Sequence, residues 1–174
     1  MNAPDSVAVH VLVERPLAEC WEQLRDLSVA HYYVPGLTGT EMVSDRAEGE
    51  GTHRRVYSGK RYLEETVTEW REGSGFTICL HRGDQPMAPF RRAEFIYALE
   101  AAGAAQTRVT LAMRVALPWG ALGRVGGRLL RPVLRRQLRL IAAGMKHFYE
   151  TGAAATDADR KRLAGAVGDG PGTA

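Results

Sequence analysis

Two charged residues, Arg54 and Glu65, sit where the apolar pattern around them turns inward. Gly51–Ser58 and Arg61–Trp70 alternate as strands on either side of the tight turn Ser58-Gly59-Lys60. In a sheet covered on one side, Val56, Leu63 and Val67 take the covered face, and the same parity carries Arg54 and Glu65 with them. Two charges on an apolar wall are costly unless they are paired. One chemistry open to them is ligand handling: Arg54 anchors or polarises a carbonyl or carboxylate, and Glu65 orients it or acts as general base. The other is a closed ion pair that fixes the register of neighbouring strands. A slip of one residue would instead turn His53, Tyr57, Glu64 and His81 inward.

Three tyrosines, Tyr33, Tyr57 and Tyr97, can each offer a phenol to a carbonyl, or serve as core aromatics with the hydroxyl at a wet edge. The histidines at 10, 31, 53, 81 and 147 show neither HxH nor HExxH spacing, so no metal is expected. Cys20 and Cys79 form no CxxC pair and imply neither a disulfide framework nor a structural zinc. There is no GxSxG, no phosphate loop and no dinucleotide fingerprint, so no cofactor is expected. The glycines between Gly120 and Gly127 lack the Lys-Ser/Thr end of a phosphate loop and read as a relaxed passage from strand to helix.

The elements that must position these residues follow from periodicity. Ser6–Glu14 alternates with Val7, Val9, Val11 and Val13 on one face, a strand. Pro16 opens a short helix carrying Leu17, Cys20, Trp21, Leu24 and Leu27, and Ser28–Gly36 gives a second short helix or turn. Six further strands follow, over Leu37–Asp45, Gly51–Ser58, Arg61–Trp70, Phe76–Arg82, Phe90–Glu100 and Thr107–Leu117. Short hairpin connections argue for antiparallel order. Their inward positions include Ile78, Phe95, Tyr97, Leu111 and Met113. The run Trp119–Gly152 then holds a helical period for roughly 30 residues, about 45 Å. Leu130, Leu134, Leu138, Ile141, Met145 and Phe148 form its apolar stripe, while Arg124, Arg128, Arg131, Arg135, Arg139 and Lys146 form another. Pro132 predicts a kink or break, with the regular body running from about Leu129 or Pro132 to Tyr149. The expected fold is α+β: a seven-stranded antiparallel sheet wrapped around a long C-terminal helix, with two short helices after the first strand.

With 174 residues, 45% hydrophobic and 25% charged, the chain fits one globular domain. The expectation is a single ligand-binding domain over 1–152 and a disordered tail over 153–174, where the composition falls to Ala, Gly, Asp and Thr. No apolar run reaches about 18 residues and no signal peptide is visible, so the expected compartment is the cytoplasm. Twenty of the 23 basic residues are arginine. The arginine stripe invites nucleic acid or an anionic membrane, but aromatics are not interleaved for base stacking, so nucleic acid is not an expected partner.

Several segments resemble the START-like, or SRPBCC, superfamily of helix-grip proteins. PLAECWEQLRD (Pro16–Asp26), the aromatic-Pro segment His31–Pro35, GEGTHRRV (Gly49–Val56), LEETVTEW (Leu63–Trp70) and TRVTLAMRV (Thr107–Val115) are each similar to a family segment. The nearest branch is the polyketide cyclase/dehydrase-like one. The chain departs from the family where Tyr33 stands in place of a frequent Trp. The resemblance implies a cavity between sheet and C-terminal helix for a hydrophobic, oxygenated small molecule or lipid. Its walls would be Tyr33, Arg54, Val56, Leu63, Glu65, Ile78, Phe95, Tyr97, Leu111 and Met113, closed by Leu134, Leu138, Ile141 and Met145 of the helix. Two alternatives stay open. One is an enzyme that closes a poly-ketone chain by aldol chemistry with Arg54, Glu65 and Tyr33. The other is a peripheral membrane protein that docks through the arginine stripe. Either a monomer or a homodimer fits.

Overall fold

A computed structural model describes residues 5–118 and 120–170, with side chains other than those of residues 5 and 120–128. Expectations that fall on residues 1–4, on Trp119, on the side chains of Arg124 and Arg128 and on residues 171–174 lie outside the described residues.

The alternating valines form β1 (Asp5–Val13), followed by α1 (Leu17–Arg25), a 3-10 turn (Leu27–Val29) and the single-turn α2 (Ala30–Tyr33). A meander follows: β2 (Gly39–Met42), β3 (His53–Ser58), β4 (Arg61–Arg71), β5 (Gly75–Arg82), β6 (Gln85–Pro86), β7 (Arg92–Gly103) and β8 (Gln106–Ala116). The long helix α3 (Gly120–Thr151), α4 (Asp157–Leu163), a second 3-10 turn (Ala164–Ala166) and β9 (Gly168–Asp169) complete the described chain. The strands pair in the order β2-β3-β4-β5-β7-β8-β1-β9, with β6 on β5. Every pairing among the described residues is antiparallel.

Register aligns the inward side chains into rows that cross the sheet. Val67, Ile78, Phe95, Met113 and Val7 are successive cross-strand partners. Phe76, Tyr97, Leu111 and Val9 make the next row. The register of β4 against β5 shifts between Val67 and Glu69, and a bulge of this kind increases local twist. At Gly75 the backbone has φ +136°, and a Cβ would stand 2.1 Å from the Tyr97 carbonyl oxygen, so only glycine fits there. The helix α3 packs across β1 and β8 and against α2. Its apolar stripe joins the valines of β1 and the aromatics of β5 and β7 in one core.

Gly144 lets α3 approach α2. A Cβ at that position would lie 2.2 Å from the Tyr33 carbonyl oxygen. The same oxygen accepts a 3.3 Å hydrogen bond from Nε of Arg160, a buried residue of α4. Ala155 N–H donates to the Tyr32 carbonyl at 2.8 Å. So α2 is held from two sides, by α3 beneath and by the C-terminal segment beyond it.

Three sequence expectations change. Among the described residues nine strands replace seven, because β6 and β9 are two-residue pairings too short to show a period. Helix α3 runs unbroken through Pro132; one missing hydrogen bond does not end a helix whose later turns are packed on the core. The segment after Gly152 is ordered through residue 170. Thr156 and Asp159 form a reciprocal capping box, with Asp159 N–H donating to Thr156 Oγ1 at 3.2 Å and Thr156 N–H donating to Asp159 Oδ2 at 3.1 Å. Val167 enters the core, and β9 pairs with Val9 and His10.

The edge of β1 beyond His10 is closed by α3. Lys146 Nζ donates to the Leu12 carbonyl at 2.8 Å, and Glu150 Oε1 accepts from Glu14 N–H at 2.8 Å. Between these groups and the second 3-10 turn lies an outer recess of about 430 Å³, lined by His10, Leu12, Glu14, Lys146 and residues 165–168. Side chains that occupy edge hydrogen-bonding groups oppose strand addition there.

Gly144→Ala is expected to destabilise the fold by about 1–3 kcal/mol in urea denaturation. Gly165→Ala, with nothing within 4 Å of its added Cβ, changes little. Thr156→Ala strips one cap and weakens α4 by about 1 kcal/mol, read as faster amide exchange in α4. The Asp159 carboxyl is held well below its usual range by the Thr156 hydroxyl and N–H, then by Arg162. A lowered carboxyl contributes stability above its unfolded value and loses it as pH falls. Protection of α4 therefore stays level down to about pH 4 and declines below it.

Candidate functional site

The interior polar cluster begins with the β3–β4 register, which sets Arg54 directly opposite Glu65. Arg54 Nε donates to Glu65 Oε2 at 2.7 Å, and Nη2 lies 2.6 Å from the same oxygen. Nη1 donates to the Leu27 carbonyl at 2.5 Å. Arg54 is 2% exposed and Glu65 9%. All three guanidinium nitrogens are thus engaged, and the turn that precedes α2 is tied to the sheet. That turn is itself fixed by Asp26, whose Oδ1 accepts from Ser28 N–H at 2.9 Å. Burial is the largest single influence on Arg54 and works against its charge, but the Glu65 carboxylate, with Tyr33 and Tyr97, together offset it and hold the guanidinium above its ordinary pKa.

Two buried phenols, Tyr33 of α2 and Tyr97 of β7, lie close enough to this pair to feel its charges, and a third, the buried Tyr149 of α3, adjoins those two. Burial pushes the Tyr33 phenol up, against the pull of Arg54 and with a push from Glu65. Tyr97 is raised well above its ordinary value by burial and then by Tyr33. Tyr149 is raised as strongly, by burial first and then by Tyr33, Tyr97 and Cys20. All three are therefore protonated donors at neutral pH. The Tyr149 hydroxyl is buried with no hydrogen-bond partner among the described residues. Its ring meets that of Tyr33 edge-on at 6.4 Å. Phe76 and Phe95 flank Tyr97 at 4.9 and 4.7 Å between centroids.

The apolar residues expected in the walls fall in this same interior. Val56, Ile78, Phe95, Leu111, Leu138, Ile141 and Met145 are buried in one cluster with Tyr33 and Tyr97, and Leu63, Met113 and Leu134 pack half-buried against it. The competing register has its residues on the opposite face. There Glu64 is also buried, accepting from Arg55 Nε at 3.1 Å and from Gly83 N–H. Those two groups, the Gly83 N–H first, hold its carboxyl below the usual range. His53 Nε2 and His81 Nδ1 stand 3.8 and 4.0 Å from its oxygens. Tyr57 bonds Glu41 on that outer side.

Sequence reasoning missed Tyr149 and the Leu27 carbonyl. A stripe on α3 that ends on Phe148 leaves Tyr149 out, but a buried helix face is at least about 100° wide and takes in the next position as well. A backbone carbonyl carries no side-chain signal at all.

An antiparallel sheet closed on a long C-terminal helix is the architecture of the helix-grip proteins. Residues 4–146 match the family model described as polyketide cyclase / dehydrase and lipid transport, and the chain belongs to that family. Solved structures with this fold include a Thermobifida fusca protein determined by NMR, 16% identical, with a TM-score of 0.68 over 83% of this chain and 93% of that one. A Thermus thermophilus protein is 18% identical, with a TM-score of 0.61 over 83% and 96%. A START superfamily protein from Mycobacterium smegmatis is 14% identical, with a TM-score of 0.60 over 82% and 97%. No curated protein matches the sequence. Among the described residues no helix is long and apolar enough to cross a membrane.

Removing one partner of the interior pair leaves a buried charge alone. Glu65→Gln is expected to cost about 3–5 kcal/mol in urea denaturation, and the double change Arg54→Met with Glu65→Leu to recover most of it.

Proposed function

We propose that the protein holds a hydrophobic small molecule or lipid inside the grip, and that the ligand carries an oxygen acceptor received by the Tyr149 phenol. The observation that carries this reading is the unpartnered, buried Tyr149 hydroxyl, set beside two other protonated phenols on otherwise apolar walls. Apolar walls with a few convergent polar groups are the usual composition of a small-molecule site. A buried donor without a partner costs about 1–3 kcal/mol, and a bound carbonyl, ester or hydroxyl oxygen would offset that. In this reading Tyr33 and Tyr97 set the polarity around the acceptor. Arg54, occupied by Glu65 and the Leu27 carbonyl, stiffens the wall and orients Tyr33 rather than gripping the ligand itself.

A second reading, aldol closure or dehydration of a polyketide-type substrate, draws on the family description and on the Glu65 carboxylate lying close enough to Tyr33 and Tyr97 to affect both. There a phenol would stabilise the enolate oxygen and Glu65 would move the proton. The two readings separate on turnover of a poly-ketone substrate, which Glu65→Gln abolishes in an enzyme.

The binding test is native mass spectrometry of the protein before and after organic extraction. Extra mass that leaves on extraction and returns on exposure to the extract supports the reading. The Tyr149→Phe protein is expected to reload about fivefold more weakly, while its extracted form is more stable by about 1–2 kcal/mol because an unpaired hydroxyl is gone. A clean mass, no uptake and unchanged stability in Tyr149→Phe would overturn it.

A further inference from the structure

The solvent side of α3 carries a second apolar feature, independent of the interior. Leu129 and Val133 are 74% and 64% exposed, far beyond any other large apolar side chain among the described residues. They stand four residues apart, one turn, on the same helical face. At about 100° per residue, Arg136 and the half-buried Leu140 fall on that face too, opposite the inward stripe of Leu134, Leu138, Ile141 and Met145. Arg136 is exposed and has no ion pair among the described residues. Arg135 and Arg139 are drawn sideways by Asp169 of β9, at 3.5 and 3.0 Å.

Charge along this part of the sequence is one-sided. Between Glu100 and Glu150 the chain has no acidic residue, but eight arginines and one lysine, against a net charge of +3 for all 174 residues. The positive charge of the protein is therefore gathered on α3 and the strand leading into it.

We propose that this face of α3 docks on an anionic lipid bilayer, lying in the interfacial plane with Leu129 and Val133 in the headgroup–acyl boundary and Arg136 against lipid phosphates. An amphipathic helix with exposed apolar anchors beside arginine is the chemistry that such a surface receives. A second copy of the chain fits worse, because a two-fold contact would set Arg136 of each copy against the same arginine-bearing helix. Nucleic acid fits worse as well: it would use the arginines but leave the aliphatic anchors without a role.

The test is flotation of the full-length protein with phosphatidylcholine vesicles, with and without phosphatidylglycerol, at low and high salt. Binding is expected only to vesicles containing phosphatidylglycerol, and weaker in high salt. Leu129→Ser with Val133→Ser is expected to weaken it by at least about tenfold. Arg136→Ala is expected to weaken it about fivefold, the worth of one basic residue near such a surface. These side chains are exposed, so the variants keep the parent melting temperature, which the same samples report. Tyr149→Phe leaves flotation unchanged, so failure of the interior reading and failure of this one are separate events. The proposal is overturned if the protein binds neither vesicle, binds neutral vesicles equally, or floats as well with the double serine variant as without it. It is also overturned if the wild type is a solution dimer that the double variant converts to monomer with no vesicle binding in either form.

Discussion

The Arg54–Glu65 pair is the constraint around which the interior is arranged. A guanidinium 2% exposed cannot remain in an apolar grip unless its donors are met, and it meets them with one carboxylate and one backbone carbonyl from a different element. The carboxylate lies on the neighbouring strand at the one register position directly opposite, so a slip of β3 against β4 would leave two buried charges apart. The carbonyl belongs to Leu27, in the turn before α2, so the same side chain fixes where α2 begins. Tyr33 closes that helix three residues after its start, and its ring reaches the core as a consequence. A pair of this kind adds little net stability by itself. Its effect is to leave one arrangement of strand, turn and short helix in which no charge is stranded.

Placement of Tyr33 is determined a second time from the opposite side. Gly144 removes the side chain that would keep α3 away from α2, and Arg160 then binds the Tyr33 carbonyl from α4. The segment that supplies Arg160, Val167 and β9 lies beyond the 4–146 span shared with the family. This segment forms a strap. It crosses the outside of the long helix, holds the short helix that carries a site residue, and covers part of the β1 edge. Asp169 at its end also pairs with two arginines of α3, so the strap lowers the positive charge along one flank of that helix.

How much of this was readable depended on where the information is held. The inward position of Arg54 and Glu65 was legible because Val56, Leu63 and Val67 have no favourable place on the wet face. Charges alone would not have decided it, since Glu64 on the opposite face is as buried, within its own group of Arg55, His53 and His81. The long helix was legible from its stripe, and Pro132 does not end it, because a local hydrogen-bond loss says nothing of the tertiary packing of the later turns. Composition misleads about the strap. Its start is written in Thr156-Asp157-Ala158-Asp159, a capping signature with a carboxylate three residues after the cap, yet the rest of its order comes from contacts with residues more than a hundred positions away, such as Tyr33 and Ala8. Tyr149 was hidden for a similar reason: its lack of a partner is a property of the folded neighbourhood and has no counterpart in the sequence.

The long helix therefore answers to three environments around one axis. One face packs Leu138, Ile141 and Met145 onto the sheet and delivers Tyr149 to the polar cluster. A second carries the arginines that meet Asp169. A third exposes Leu129 and Val133 at a cost that core packing does not require, since the inward contact at this level of the helix comes from Leu134. Were α3 only a lid for the sheet, polar residues at 129 and 133 would serve it equally well and lower the tendency of that surface to associate. Aliphatic side chains at these two positions, within a stretch free of acids, are better explained by what lies outside the molecule than by what the helix covers inside it.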